Sequence, residues 1–222
     1  MRGVELVVFD MAGTTVRDDG QVPEAFTAAL AEYGVTVGPE VIRGLRGASK
    51  REAILGLLPA GTARAEQAER AYASFRDHLA RRYADTARAV PGAGEVFAWL
   101  RGHGIRVALN TGFDRGTTQM LLAALGWAAE TVDAIVCGDE VPQGRPAPYL
   151  VFHCMEATGT LSVGRVANVG DTALDLRAGH NAGVRLNIGV LSGAHGRDLL
   201  AAEPHTHLLA SVADLPRLLA DA

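Results

Sequence analysis

Apolar residues fall along this chain in two rhythms. Short, mostly apolar runs at 4–9, 105–109, 134–137, 165–169 and 184–190 are bounded by turn residues. They predict five strands buried on both faces, as in a parallel sheet. Between them the spacing is helical: Pro91-Gly92-Ala93-Gly94 opens a helix at 95–101 that Gly104 ends, and 116–126 and 173–183 read the same way. This alternation predicts an α/β fold, a doubly wound parallel sheet with helices on both faces.

Residues 16–88 break the alternation. The interval is long, rich in Ala, Arg, Glu and Leu, and helical in period, with helices expected at 23–33, 39–45, 50–58 and 62–84. Gly34, Gly38, Gly47 and Pro59-Ala60-Gly61 punctuate them. The chain is therefore expected to divide into a core of residues 1–15 and 89–222 and a helical insertion of 16–88 lying over the sheet. Arg64, Arg70, Arg76, Arg81 and Arg82 alternate with acids on the last of these helices, the pattern of a solvated face with i,i+4 pairs.

Composition narrows the function classes. At 222 residues and 48% hydrophobic content the chain can bury one large core with a smaller appendage. A net charge of -4, with basic and acidic residues intermixed, argues against a nucleic-acid partner. No apolar stretch approaches the roughly 18 residues that span a bilayer, and no basic region followed by an apolar signal segment opens the sequence, so no membrane partner and a cytoplasmic protein are expected. Cys137 and Cys154 sit in apolar surroundings and read as reduced core thiols. His78, His103, His153, His180, His195, His205 and His207 are scattered and read as structural or solvent-facing.

Ligands of an open parallel sheet bind beyond the carboxyl ends of its strands, so the residues that follow each strand share one crevice. Asp10, Gly13 and Thr14 follow the first strand and Asn110, Thr111 and Gly112 the second. Asp139 and Gly144-Arg145-Pro146 follow the third, and Gly170, Asp171, Thr172 and Asp175 the fourth. Taken singly these are caps, turns and a loop charge; together they suit phosphoryl chemistry. Asp10 and Asp171 can share a hard cation such as Mg²⁺ through oxygen ligands, with Asp175, one helical turn on, orienting that shell. Thr111 and the main-chain N–H of Gly112 offer donors to an oxyanion, and Arg145 a permanent charge with a planar donor fork.

These segments resemble the four motifs of the haloacid dehalogenase superfamily, across most of the chain. The resemblance implies a Rossmann-like core with a cap made by the helical insertion. It implies Asp10 as a nucleophile that becomes phosphorylated, and Mg²⁺ held by Asp10, Asp171 and the carbonyl of Ala12. Thr111, Gly112 and Arg145 would bind the phosphoryl group, Thr14 and Asp175 would support the metal carboxylates, and a homodimer through the cap is suggested. Most phosphatases of that superfamily carry an acid two residues after the nucleophile; here that position is Ala12, so a general acid worth about 10²- to 10⁴-fold in rate is missing.

Asp-Met-Ala-Gly-Thr-Thr and Gly144-Arg145-Pro146 are both similar to the phosphonatase branch, the phosphonoacetaldehyde hydrolases. There a cap lysine forms an imine with the substrate aldehyde, and a carbon–phosphorus bond breaks to an enamine. Lys50, the only lysine of the chain, stands at the matching position; arginine could not serve, because it does not deprotonate to attack a carbonyl. Burial, or neighbouring cations such as Arg46 and Arg51, would lower its pKa. The sequence departs from that branch at Ala53, where a His is usual, and at Arg46, where Met is usual and where an extra anion on the substrate would find a partner. The expected substrate is thus a small phosphonate or phosphate. A phosphate monoesterase in which Lys50 only binds substrate, and a non-catalytic binding protein on this fold, are the alternatives.

Overall fold

The computed structural model describes residues 3–127 and 130–221; residues 1–2, 128–129 and 222, which the expected core spans include, lie outside the described residues. Six parallel strands form the sheet: β1 (Leu6–Asp10), β2 (Arg106–Asn110), β3 (Ala134–Val136), β4 (Val166–Gly170), β5 (Leu186–Val190) and β6 (His207–Leu209). Their order is β3-β2-β1-β4-β5-β6, the doubly wound order whose direction of winding reverses beside β1. Registers such as Asp10 with Asn110 and Phe9 with Val169 bring the strand ends level.

Alternation along β1 sends Val7 and Phe9 into one apolar layer and Leu6 and Val8 into the other, as the two-residue period of a strand requires. On the first face lie α5 (Ala93–Gly102) and α10 (Leu215–Asp221), where Phe97 meets Phe9 edge to face at 5.3 Å. On the second lie α7 (Tyr149–Thr158) and α8 (Ala173–Ala182). The helix α6 (Arg115–Ala124) begins where Asp114 accepts the N–H of Thr117 at 2.7 Å, an N-cap.

Between β1 and α5 the chain forms α1 (Gln21–Ala31), α2 (Pro39–Gly44), α3 (Lys50–Leu57) and α4 (Arg64–Tyr83). Ala68, Ala71, Tyr72, Phe75, Leu79 and Tyr83 form the buried stripe of α4, and Phe75 meets Phe26 of α1 at 5.8 Å. The insertion leaves and returns side by side: Arg17 N–H donates to Arg88 and Val90 N–H to Thr15. Of the arginines on α4, Arg70 pairs with Glu66 one turn away, but Arg64 donates to the carbonyls of Leu55 and Gly56, Arg82 reaches Glu24, and Arg76 lies 3.6 Å from Asp114. That face therefore ties elements together as well as meeting solvent.

Four elements were not foreseen. The strand β6 and the helix α9 (Arg197–Ala201) are three and five residues long, too short for a period to register, and α10 has seven. The helix α7 is apolar on most sides (Tyr-Leu-Val-Phe-His-Cys-Met) and so lacks a polar stripe. Cys137 and Cys154 are free and buried, and burial pushes both thiols up. Among the described residues no helix is long and apolar enough to cross a membrane.

Candidate active site

The end of β1 delivers Asp10, 5% exposed, into the point where the sheet reverses its winding. The turn that follows holds Gly13 at φ 101°, where a Cβ would also strike the Asp171 carboxylate, so only glycine fits. Thr15 donates to the main-chain oxygen of Asp10 at 2.9 Å. Thr14 donates to Asp171 Oδ1 at 3.0 Å, and Ala194 N–H to Asp171 Oδ2 at 2.6 Å. Asp171 thus keeps a fixed orientation while fully buried. Asp175 completes a capping box with Thr172 at the start of α8, accepting its N–H at 3.0 Å, and turns its other oxygen to Arg145 Nε at 2.9 Å.

Arg145, also buried, is the hub. Its Nη2 lies 2.8 Å from Asp10 Oδ1 and donates to the side-chain and main-chain oxygens of Asn110; its Nη1 donates to the carbonyl of Gly47 at 3.1 Å. One guanidinium faces three buried carboxylates, Asp10, Asp171 and Asp175, each with an oxygen within 4.8 Å of the others. The imbalance is visible in their protonation. Burial lifts Asp10 well above the ordinary carboxylate range, Asp175 and Asp171 lift it further, and Arg145 opposes them. Burial, then Asp175, lifts Asp171. A buried all-oxygen donor set with excess negative charge fits a small divalent cation such as Mg²⁺.

Asp10, Ala12, Arg46, Lys50, Thr111, Gly112 and Arg145, chosen from four separate stretches of sequence, line one cavity together with Val22, Gly47 and Phe113. It measures about 20 Å³, room for about one water. Lys50 is 6% exposed at the first turn of α3, donates to the Ala48 carbonyl at 2.9 Å and lies 5.6 Å from the centre of the Phe113 ring. Burial and, next, Arg46 lower its pKa to about 8, with Arg145 acting in the same direction and Asp10 and Asp18 against it. The positive end of α3 favours the neutral amine as well. Arg51 takes no part: it pairs with Glu69 at 2.8 Å and lies over Tyr72. Arg46 is itself neutralised by a buried pair with Asp18.

The helical layer is seated on the sheet through specific bonds. Lys50 N–H reaches the Gly112 carbonyl at 3.4 Å, Gly144 N–H donates to Glu52 at 3.2 Å, and Tyr72 donates to Asp114 at 2.5 Å. Asp18, Tyr72, Asp114, Glu52 and His195 join the site's surroundings without a place among the strand-end residues of the sequence, whereas Asn110 stands with them there. Asn110 alone had a sequence signal, as a polar residue ending an apolar strand; the others are ordinary helix and loop residues until the insertion folds down.

A family model described as haloacid dehalogenase-like hydrolase matches residues 4–183. A phosphonoacetaldehyde hydrolase of Syntrophobacter fumaroxidans is 30% identical over 213 residues, covering 90% of this chain and 76% of that protein. Among solved structures, a hydrolase from Pseudomonas syringae superposes with a TM-score of 0.87 at 22% identity, covering 99% of both chains. A phosphonoacetaldehyde hydrolase like protein from Oleispira antarctica gives 0.85 at 24%, covering 99% of this chain and 92% of that one. At those identities the two structures speak to the fold.

Proposed function

Because the chain belongs to the haloacid dehalogenase-like hydrolase family, in its phosphonatase-like branch, we propose that it hydrolyses the carbon–phosphorus bond of a small carbonyl phosphonate, phosphonoacetaldehyde or an analogue, beneath a cap formed by residues 16–88. The observation that carries this reading is the position of Lys50. The chain's single lysine lies buried in the same cavity as Asp10, Thr111, Gly112 and Arg145, with its pKa near 8. At pH 7 about a tenth of such amines are neutral and nucleophilic, against about 0.03% for a lysine in water.

In this scheme Thr111, Gly112 and Arg145 hold the phosphoryl oxygens, and the neutral amine of Lys50 condenses with the carbonyl, expelling water. Asp10 then attacks phosphorus in line, and the carbon–phosphorus electron pair moves into the iminium to leave an enamine. Hydrolysis of the aspartyl-phosphate releases phosphate; protonation of the enamine and hydrolysis of the imine release the aldehyde or ketone and restore Lys50. No ester oxygen needs a proton, which agrees with Ala12 where an acid is otherwise expected. Mg²⁺ held by Asp10, Asp171 and the Ala12 carbonyl would supply positive charge beside the phosphoryl oxygens. Thr14 and Asp175 keep Asp171 and Arg145 in place, through the bonds given above.

Borohydride reduction in the presence of phosphonoacetaldehyde tests the scheme. It is expected to leave a stable adduct on Lys50 and none on Lys50→Arg. Phosphate release from esters without any adduct on Lys50 would instead assign an ordinary phosphate monoesterase.

A further inference from the structure

His195 takes no part in that chemistry, yet it sits buried, 5% exposed, between the sheet and the helical layer. Its Nδ1 faces the N–H of Ala173 at 3.0 Å and its Nε2 the carbonyl of Arg43 at 3.1 Å. An amide N–H only donates and a carbonyl only accepts, so the partners fix the neutral ring with its hydrogen on Nε2. Ala173 is the first residue of α8, whose opening N–H groups have no partner within the helix; Arg43 lies in the last turn of α2, and its carbonyl, which also accepts the N–H of Arg46 at 3.1 Å, takes the imidazole as a further donor. One side chain therefore satisfies an orphan donor on the core and joins it to a main-chain acceptor on the insertion.

The loop carrying His195 is bonded to the core at three points. Its own N–H donates to the main-chain oxygen of Asp171, the preceding Ala194 N–H to the Asp171 carboxylate, and Ser192 to the carbonyl of Gly13 at 3.0 Å. Among the described residues the other bonds across the divide come from α3, α4 or the loop before α3; His195 holds α2. We propose that His195 is a latch: its imidazole pins α2 to the loop around Asp171 and so sets how often the cap opens over Lys50. The inference goes beyond the reaction proposed above and is read out without substrate.

Lys50 is the only lysine and is buried, so its acylation by acetic anhydride, followed on its own peptide by mass spectrometry, reports cap opening. Asparagine places a polar atom near the position of Nδ1 and glutamine near that of Nε2. His195→Asn keeps the bond to Ala173 and gives up Arg43; His195→Gln does the reverse. The expected result is Lys50 labelling about two- to twelvefold faster in His195→Asn, the factor that one net hydrogen bond represents, and within twofold of the unmodified protein in His195→Gln, although both lower the thermal midpoint by a similar few degrees. Equal labelling rates in the two variants, fast or slow, overturn the latch and leave His195 with a general structural role. Should His195→Asn not fold, His195→Leu loses both bonds while filling the space, and its contrast with His195→Gln decides in the same way.

Discussion

Replacing Lys50 with methionine probes the cost of burying its amine. The pKa falls from the ordinary 10.5 to about 8, first because of burial and then because of Arg46. At about 1.4 kcal/mol for each tenfold change, that displacement corresponds to about 3 kcal/mol. The sign follows from proton counting. Below pH 8 the amine is charged in the folded and the unfolded chain, and the folded state bears the whole penalty. Between about 8 and 10.5 the unfolded chain holds a proton that the folded one lacks, so the stability of the unmodified protein climbs with pH. Above 10.5 both forms are neutral. Methionine does not titrate; Asp10 titrates in both proteins, and because Lys50 acts on it the difference carries their mutual attraction along with the burial of the amine. Urea unfolding from pH 7 to 11, with chelator present so that no cation adds its own field, should show the stability of Lys50→Met relative to the unmodified protein falling by about 3 kcal/mol, most of it between pH 8 and 10.5. A difference that stays flat with pH would mean that Lys50 is hydrated, and the reason for regarding it as a nucleophile would be gone.

Three other substitutions test separate parts of the site. Asp175→Asn removes a charge that steadies Arg145 at 2.9 Å, and should weaken Mg²⁺ binding about 10- to 100-fold by calorimetry. Gly112→Ala would put a methyl group against the Ala48 carbonyl, whose carbon lies 3.0 Å from that position; the cap should then fail to seat, with turnover down at least about 100-fold and the circular dichroism spectrum unchanged. Tyr72→Phe deletes the bond to buried Asp114 and should cost about 1 kcal/mol, a fall of about 2–4 °C in thermal midpoint; no change would show that the bond is replaced by water.

Much of the site was legible before folding because the doubly wound sheet converts sequence position into spatial position. Asp10, Thr111 and Asp171 follow strands that lie side by side, and any residue just past such a strand reaches the same crevice. Lys50 was legible for a different reason, as one amine in a chain that otherwise uses arginine. The sequence offers Arg46 as a partner for a substrate anion, whereas in the fold Asp18, 28 residues earlier, pairs with it; a pair between two loops carries no period along the chain. Arg51 was expected beside Lys50, but the helix turns it outward to Glu69.

The sequence by itself determined the alternating sheet, the helical insertion and the identities of the groups at the strand ends, because those depend on local period and on the fixed geometry of parallel strands. Only the tertiary structure decided how the insertion sits on the sheet. That contact is made of bonds between distant main-chain and side-chain groups, Arg145 to Gly47, His195 to Arg43 and Tyr72 to Asp114. It also decides the burial that lowers Lys50 and lifts Asp10, since desolvation belongs to the packed assembly of elements and is not a property of any one residue along the chain.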